Sequence, residues 1–206
     1  MIKFILASSS PRRLALLKDI GVEPDKIVAS EIDETPRPQE LPRQLAKRLA
    51  LEKLHAVAGN FPSPAQRERE GPIAKQWEGE GAIILAADTV VAVGRRILPK
   101  AETADEVRTC LKLLSGRRHH VYTAVALRGA DGKIRERLAD STVIFRQLSP
   151  ADIEAYAQCG EGIGKAGGYA IQGRAAALIR FISGSYSNIV GLPLFDIAGM
   201  LEAYKK

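Results

Sequence analysis

The chain has 206 residues, enough for one large domain or two small lobes sharing a core. With 46% apolar and 26% charged residues it reads as globular, and no apolar run approaches the ~20 residues that span a bilayer. A net charge of +6 points to an anionic partner, while 5% aromatics is thin for a protein that stacks bases along a strand.

Ile2–Ala7 reads as a short buried strand that empties into Ser8-Ser9-Ser10-Pro11. A helix follows to about Ile20, with Ser10 as N-cap, Pro11 at the first helical position and Gly21 as the stop. A second strand is expected at Ile27–Ser30, leading to the acidic stretch Glu31-Ile32-Asp33-Glu34. A long helix runs from about Pro42 to Ala58. Residues 59–81 hold four glycines, three prolines and many charges, and are expected to form a solvated surface insertion without chemistry. Ile83–Val93 is apolar and β-branched, a central strand with Asp88-Thr89 in its middle. Thr103-Ala104-Asp105-Glu106 is a capping box for a helix ending near Ser115-Gly116. His119–Leu127 and Ile134–Phe145 are strands whose first parts form a hairpin. Ser149-Pro150 starts another helix that stops at Gly160. Short strands near Tyr169–Ile171 and Leu178–Ile182 precede a C-terminal helix from about Pro193. The alternation predicts one α/β domain over 1–206 with a mixed, twisted sheet flanked by helices. Two cysteines without a Cys-x-x-Cys pair, and no signal-peptide core, make a reducing cytoplasmic home the expectation.

Three places look wrong for stability alone, and such places are where function tends to show. The first is Arg12-Arg13 in the opening turn of a helix, where each exposed cation costs about 0.3–1 kcal/mol against the macrodipole. Either both side chains fan into water, or they join the backbone N–H groups and the hydroxyls of Ser8, Ser9 and Ser10 around a phosphate. The second is Lys53, which falls near the middle of the stripe formed by Leu45, Ala46, Leu49, Ala50, Ala56 and Val57. Its stem can snorkel past the core edge, or its ammonium can project into a cleft to meet phosphate. His55 lies on the opposite, solvated face. The third is Asp88, since a carboxylate inside an apolar strand must be paired, hydrogen-bonded or bound to metal. It is either a structural hydrogen-bonder or a strand-end acid that holds a divalent cation or takes a proton from water.

Other motifs fail on context. Gly162-Ile163-Gly164-Lys165-Ala166-Gly167 matches a dinucleotide fingerprint, but it follows a helix, and as a P-loop it has Ala166 where a hydroxyl should hold magnesium. A glycine-rich loop bringing Lys165 to an anionic ligand remains. His119-His120 lack a third ligand at metal spacing, and Cys110 shares a helix face with Val107, Leu111 and Leu114.

Several blocks stand together in one order. They are Leu6-Ala7-Ser8-Ser9-Ser10-Pro11-Arg12-Arg13, Ile32-Asp33-Glu34, Ala86-Ala87-Asp88-Thr89-Val90-Val91 and Leu113-Leu114-Ser115-Gly116-Arg117 with His119, Val121, Tyr122 and Thr123. Gly164-Lys165-Ala166-Gly167-Gly168-Tyr169-Ala170-Ile171-Gln172-Gly173 and Gly184-Ser185-Tyr186 with, after two intervening residues, Ile189-Val190-Gly191-Leu192-Pro193 complete the set. Over nearly its whole length the chain resembles the Maf family of nucleotide pyrophosphatases. The resemblance implies two lobes around a central cleft in a Maf or ITPase-like fold, a homodimer, and Mg²⁺- or Mn²⁺-dependent hydrolysis. It makes Asp88 the catalytic aspartate and puts Arg12, Glu34, Lys53, Lys100, Lys165 and Gln172 on cleft positions. The form of the lysine-glycine block resembles the branch acting on dTTP and UTP, with Arg12, Thr89 and Gln172 at positions linked to base choice. The family's usual Gly-Lys-Pro is replaced here by Pro99-Lys100-Ala101, which keeps the lysine.

On that basis Lys53, Arg12, Arg13 and Lys100 are expected to neutralise a triphosphate, and Ser8, Ser10, Thr89, Lys165 and Gln172 to complete its binding. Asp88 is expected to activate water, and Glu34 to help Asp88 hold the metal. Rival expectations are a pyrophosphatase for methylated or damaged purine triphosphates, a nucleic-acid-binding module, and a septum-regulating contact protein. Neither membrane nor nucleic acid is an expected partner.

Overall fold

Alternation along Ala82–Val93 decides the layout, because successive side chains of a strand face opposite ways. Leu85, Ala87 and Val91 enter one apolar cluster; Ile84, Ala86, Val90 and Ala92 enter the other. The computed structural model describes residues 2–61, 81–202 and 204. Its strands are β1 (Lys3–Ala7), β2 (Lys26–Ile27), β3 (Ala82–Val93), β4 (Arg96–Leu98), β5 (Lys100–Ala101), β6 (Arg118–Arg128), β7 (Ile134–Phe145), β8 (Lys165–Ala166) and β9 (Ile179–Ser183). Its helices are α1 (Pro11–Asp19), α2 (Pro42–Ala58), α3 (Ala104–Leu114), α4 (Pro150–Gln158), α5 (Tyr186–Val190) and α6 (Leu194–Glu202).

The main sheet runs β2-β1-β3-β6-β7-β9, with β4 folded back on the end of β3. The β2-β1-β3 part is parallel and the rest antiparallel, so the sheet is mixed as expected. Helix α2 lies over β3 and β6 and buries Leu45, Ala46, Leu49, Ala50, Leu54 and Val57, each leucine worth roughly 1.5–3 kcal/mol. Ala56 is exposed, outside the stripe assigned to it. The capping box at Thr103 is present: its hydroxyl accepts from the Glu106 N–H at 3.2 Å, a contribution of about 1 kcal/mol to α3. Beside the main sheet, β5 and β8 form a small antiparallel ribbon. The cleft opens between that ribbon, the end of β1 and the stretch Asp88–Val91 of β3.

Four local expectations need correction. The second strand is only Lys26–Ile27, and Ser10 occupies the N-cap position without a side-chain cap bond. The β6–β7 hairpin pairs along its whole length, from Arg118↔Ile144 to Arg128↔Ile134. Tyr169–Ile171 is not a strand. Gly167 and Gly168 both take positive φ and turn the chain after β8, so Tyr169 is buried by ring packing on His119 and Phe145 instead. Most of the expected insertion at 59–81, residues 62–80, lies outside the described residues.

His119 is fully buried, and its Nε2 lies 2.8 Å from the Tyr169 hydroxyl. Burial, and then the charge of neighbouring His120, push its pKa down to about 3. The unfolded chain therefore binds a proton that the folded one refuses, at any pH between about 3 and the ordinary histidine value of ~6.5. Stability contributed by neutral His119 is whole above ~6.5 and falls by about 1.4 kcal/mol per pH unit below it, until about pH 3. Urea midpoints measured from pH 7 to 4 should decline on that slope, and His119→Phe should flatten it. An unchanged slope in the variant would assign the acid sensitivity to other groups.

Candidate active site

The hydroxyl-rich turn after β1 opens α1 without any acidic residue in its first turn. Three serines, the helix N-terminus and two arginines gather there, the arrangement expected of an anion site. The two arginines divide the work. Arg13 is tied to the protein: its Nε donates to the Gly191 carbonyl at 2.9 Å, Nη1 to Ser8 Oγ at 3.1 Å and Nη2 to Thr89 Oγ1 at 3.3 Å. Among the described residues Arg12 has no such side-chain anchor, and it lines the cleft. Burial, and then the charge of Arg13, lower the pKa of Arg12. Lys165 is lowered too, by burial and then by Arg12. Cations crowded this closely are poised for an anion.

Opposite them, even-numbered side chains of β3 face α2, and Asp88 meets Lys53 there. Both are nearly fully buried, at 4% and 6% exposure. The Lys53 ammonium lies 2.5 Å from Asp88 Oδ1 and 2.7 Å from Glu34 Oε1, so one cation bridges two carboxylates. The polar residue placed in the α2 stripe therefore does not snorkel to solvent. Lys100, the exposed first residue of β5, donates to the other oxygen of Glu34. Burial alone would raise the Glu34 carboxyl, but hydrogen bonds from Lys100 and Lys53, with their charges, outweigh it and hold it below its ordinary value.

A cavity of about 430 Å³ collects these groups: Ser8, Ser10, Arg12, Arg13, Glu34, Lys53, Asp88, Thr89, Lys100 and Lys165 all line it. Gly164 donates its N–H to the Ala101 carbonyl at 2.7 Å, and this contact sets Lys165 at the rim. Gly167 is required as glycine: φ is +70° and an added Cβ would stand 2.8 Å from the Val91 side chain. Ribbon β5–β8 can thus lie close over β3.

Gln172 is exposed in the turn before the 3-10 helix Arg174–Leu178 and is not among the cavity-lining residues. Sequence reasoning missed Gly191, whose carbonyl anchors Arg13, and the fully buried Thr123 and Asn188 behind Thr89. Thr123 and Gly191 stand in two of the blocks quoted above, whereas Asn188 falls between quoted residues and carried only the signal of an amide set before the apolar Ile189-Val190.

The geometry describes a deep polar cavity with cations on one wall and a lysine-bridged acid pair on the other. The family model described as Maf-like protein matches residues 3–204. A dTTP/UTP pyrophosphatase of Gluconobacter oxydans (strain 621H) is 54% identical over 204 residues, covering 97% of this chain and 86% of that protein. One from Bartonella henselae is 52% identical over 203 residues, covering 98% and 85%. The solved Staphylococcus aureus Ham1 protein shares the fold, with a TM-score of 0.52 and 12% identity over 98% of this chain and 99% of that one. Blocks recognised in the sequence, the mixed sheet and a family match over nearly every residue converge: the chain belongs to the Maf-like protein family.

Proposed function

We propose that this protein hydrolyses nucleoside triphosphates, dTTP and UTP foremost, to the monophosphate and pyrophosphate. The observation that carries the reading is the buried Asp88 carboxylate, held by Lys53 at the wall of a cavity lined with Arg12, Lys100 and Lys165. The names of the relatives support the choice of substrate.

The chemistry follows from these side chains. Arg12, Lys165 and Lys100 bind the phosphate oxygens and hold the α-phosphorus before Asp88. Lys53 leaves its carboxylate partners for the incoming anion, which frees Asp88 to accept a proton from water. The water oxygen bonds to the α-phosphorus as the bond from that phosphorus to the bridging oxygen breaks. The bridging oxygen leaves with pyrophosphate, and the proton on Asp88 passes to solvent.

Asp88 and Glu34 are the residues that would hold a divalent ion. Among the described residues no group of three or more His, Cys, Asp or Glu side chains is placed to hold a metal. Two carboxylates do fit Mg²⁺ or Mn²⁺ shared with a triphosphate, because magnesium is commonly held by one or two carboxylates plus substrate phosphates and water. When bound, the ion supplies neutralisation of phosphate charge.

A cytoplasmic location and a homodimer are parts of the same proposal. Free Cys110 and Cys159 suit a reducing compartment, and Phe181 and Ile182 on edge strand β9 offer exposed apolar surface for a second copy. No helix among the described residues is long and apolar enough to cross a membrane.

The test is a panel of dTTP, UTP, dCTP and a methylated GTP with Mg²⁺ or Mn²⁺, assayed for pyrophosphate and orthophosphate. Equal amounts of pyrophosphate and monophosphate should appear, fastest from dTTP and UTP. Orthophosphate as the first product, or no release at all, would end this reading.

A further inference from the structure

The buried polar groups behind the cavity have a direction, and that direction reaches the ligand. Thr123 lies directly across from Thr89 in the β3–β6 pair, fully buried and outside the cavity lining. Its single hydroxyl proton goes to the main-chain carbonyl of Asn188 at 2.9 Å. That carbonyl sits in the last turn of α5, where the Gly191 and Leu192 N–H groups both go to Ser187 instead. Among the described residues Thr123 is the donor that reaches it, and buried carbonyls are rarely left unpaired. Asn188 cannot drift away, since its Nδ2 donates to the Val121 carbonyl at 3.0 Å and to Ser141 Oγ at 2.8 Å.

With the Thr123 proton committed, the 2.9 Å contact between the two threonine hydroxyls has one sense only: Thr89 donates. On its other side Thr89 Oγ1 accepts from Arg13 Nη2 at 3.3 Å. A hydroxyl has one proton and two lone pairs, so what Thr89 retains for the cavity is one lone pair and no proton. Phosphate oxygens are acceptors and cannot use it. Asp88 lines the same cavity from the α2 side of β3, because neighbouring side chains of a strand face opposite ways.

We propose that Thr123 is a positioning residue that makes Thr89 an acceptor only, so that the site selects a nucleoside offering it a hydrogen-bond donor. This rests on the pyrophosphatase reading above. Family resemblance links position 89 to base choice; the buried chain adds the sense of the bond and the residue that sets it. Two donors on the substrate meet the requirement, the imide N–H of uracil or thymine and a sugar hydroxyl.

The experiment measures kcat/KM for UTP against CTP, which lacks the imide N–H, and for dTTP against its 3′-deoxy analogue, which lacks the hydroxyl. Wild type should favour the donor-bearing member of at least one pair by about 10-fold or more, and the pair affected identifies the donor. Thr123→Ser keeps the hydroxyl and should keep the ratio. Thr123→Val frees the Thr89 proton and should shrink the ratio by about 10-fold, through KM more than kcat. Each ratio comes from a single preparation, so partial unfolding lowers both members alike, and Thr123→Ala serves if valine prevents folding. A ratio unchanged in both apolar variants, or wild-type indifference in both pairs, overturns the inference alone. Absence of pyrophosphate from all four substrates overturns the underlying reading as well.

Discussion

Asp88→Asn should lower pyrophosphate release by about 10³-fold while leaving the thermal midpoint within a few degrees of wild type. The two halves of that expectation have different origins. Asparagine fills the same space between β3 and α2, and its Oδ1 can still accept from the Lys53 ammonium that now lies 2.5 Å from the carboxylate. Glu34, 2.7 Å from the same ammonium, remains to balance the charge. Packing and pairing therefore survive. What is lost is the capacity to take a proton, since an amide oxygen is too weak a base near neutral pH. Loss should appear in kcat, with substrate KM little changed, because Arg12, Lys165 and Lys100 are untouched. Steady-state pyrophosphate release and circular dichroism melts decide it. Turnover equal to wild type would remove Asp88 from the reaction.

Much of this site was legible because its residues break local rules that periodicity makes visible. Lys53 stands in an apolar stripe with a 3.6-residue repeat, on a helix expected from about Pro42 to Ala58 and found over Pro42–Ala58. Asp88, with Thr89 beside it, interrupts a strand of otherwise apolar side chains. Arg12 and Arg13 oppose a helix dipole. Local patterns could not say which of the two arginines faces a ligand, because the partner that takes Arg13 away is Gly191, 178 positions later in the chain. The two-residue strands β5 and β8 carry no period and exist through pairing with each other across the chain. Tyr169 looked like a strand residue because aromatic side chains favour strands, yet two glycines at positive φ turn the backbone just before it. Thr123 has the same character. Its hydroxyl is unremarkable within β6 and acquires meaning only through Asn188 on a distant short helix.

The bridging lysine yields the largest expected effect on stability. Lys53→Met keeps the aliphatic stem that packs in the α2 cluster beside Leu49, Leu54 and Val57, so the change is chiefly removal of one ammonium. Asp88, with 6% of its side chain exposed, then faces Glu34 without the cation between them. Breaking a buried pair by deleting one partner costs about 3–5 kcal/mol, which for a chain of this size lowers the thermal midpoint by roughly 10 °C. Glu34 suffers less, because Lys100 still reaches it. The double variant Lys53→Met/Asp88→Asn separates burial of charge from loss of packing. Removing the stranded carboxylate should recover a good part of the loss, giving a non-additive cycle. Mg²⁺ or Mn²⁺ should also raise the midpoint of Lys53→Met more than that of wild type, since two carboxylates released from the ammonium can bind the ion, and binding to the folded state stabilises by mass action. Equal shifts in both proteins would mean that Asp88 and Glu34 do not hold the metal together. An additive cycle would mean that the lysine stabilises by its stem alone.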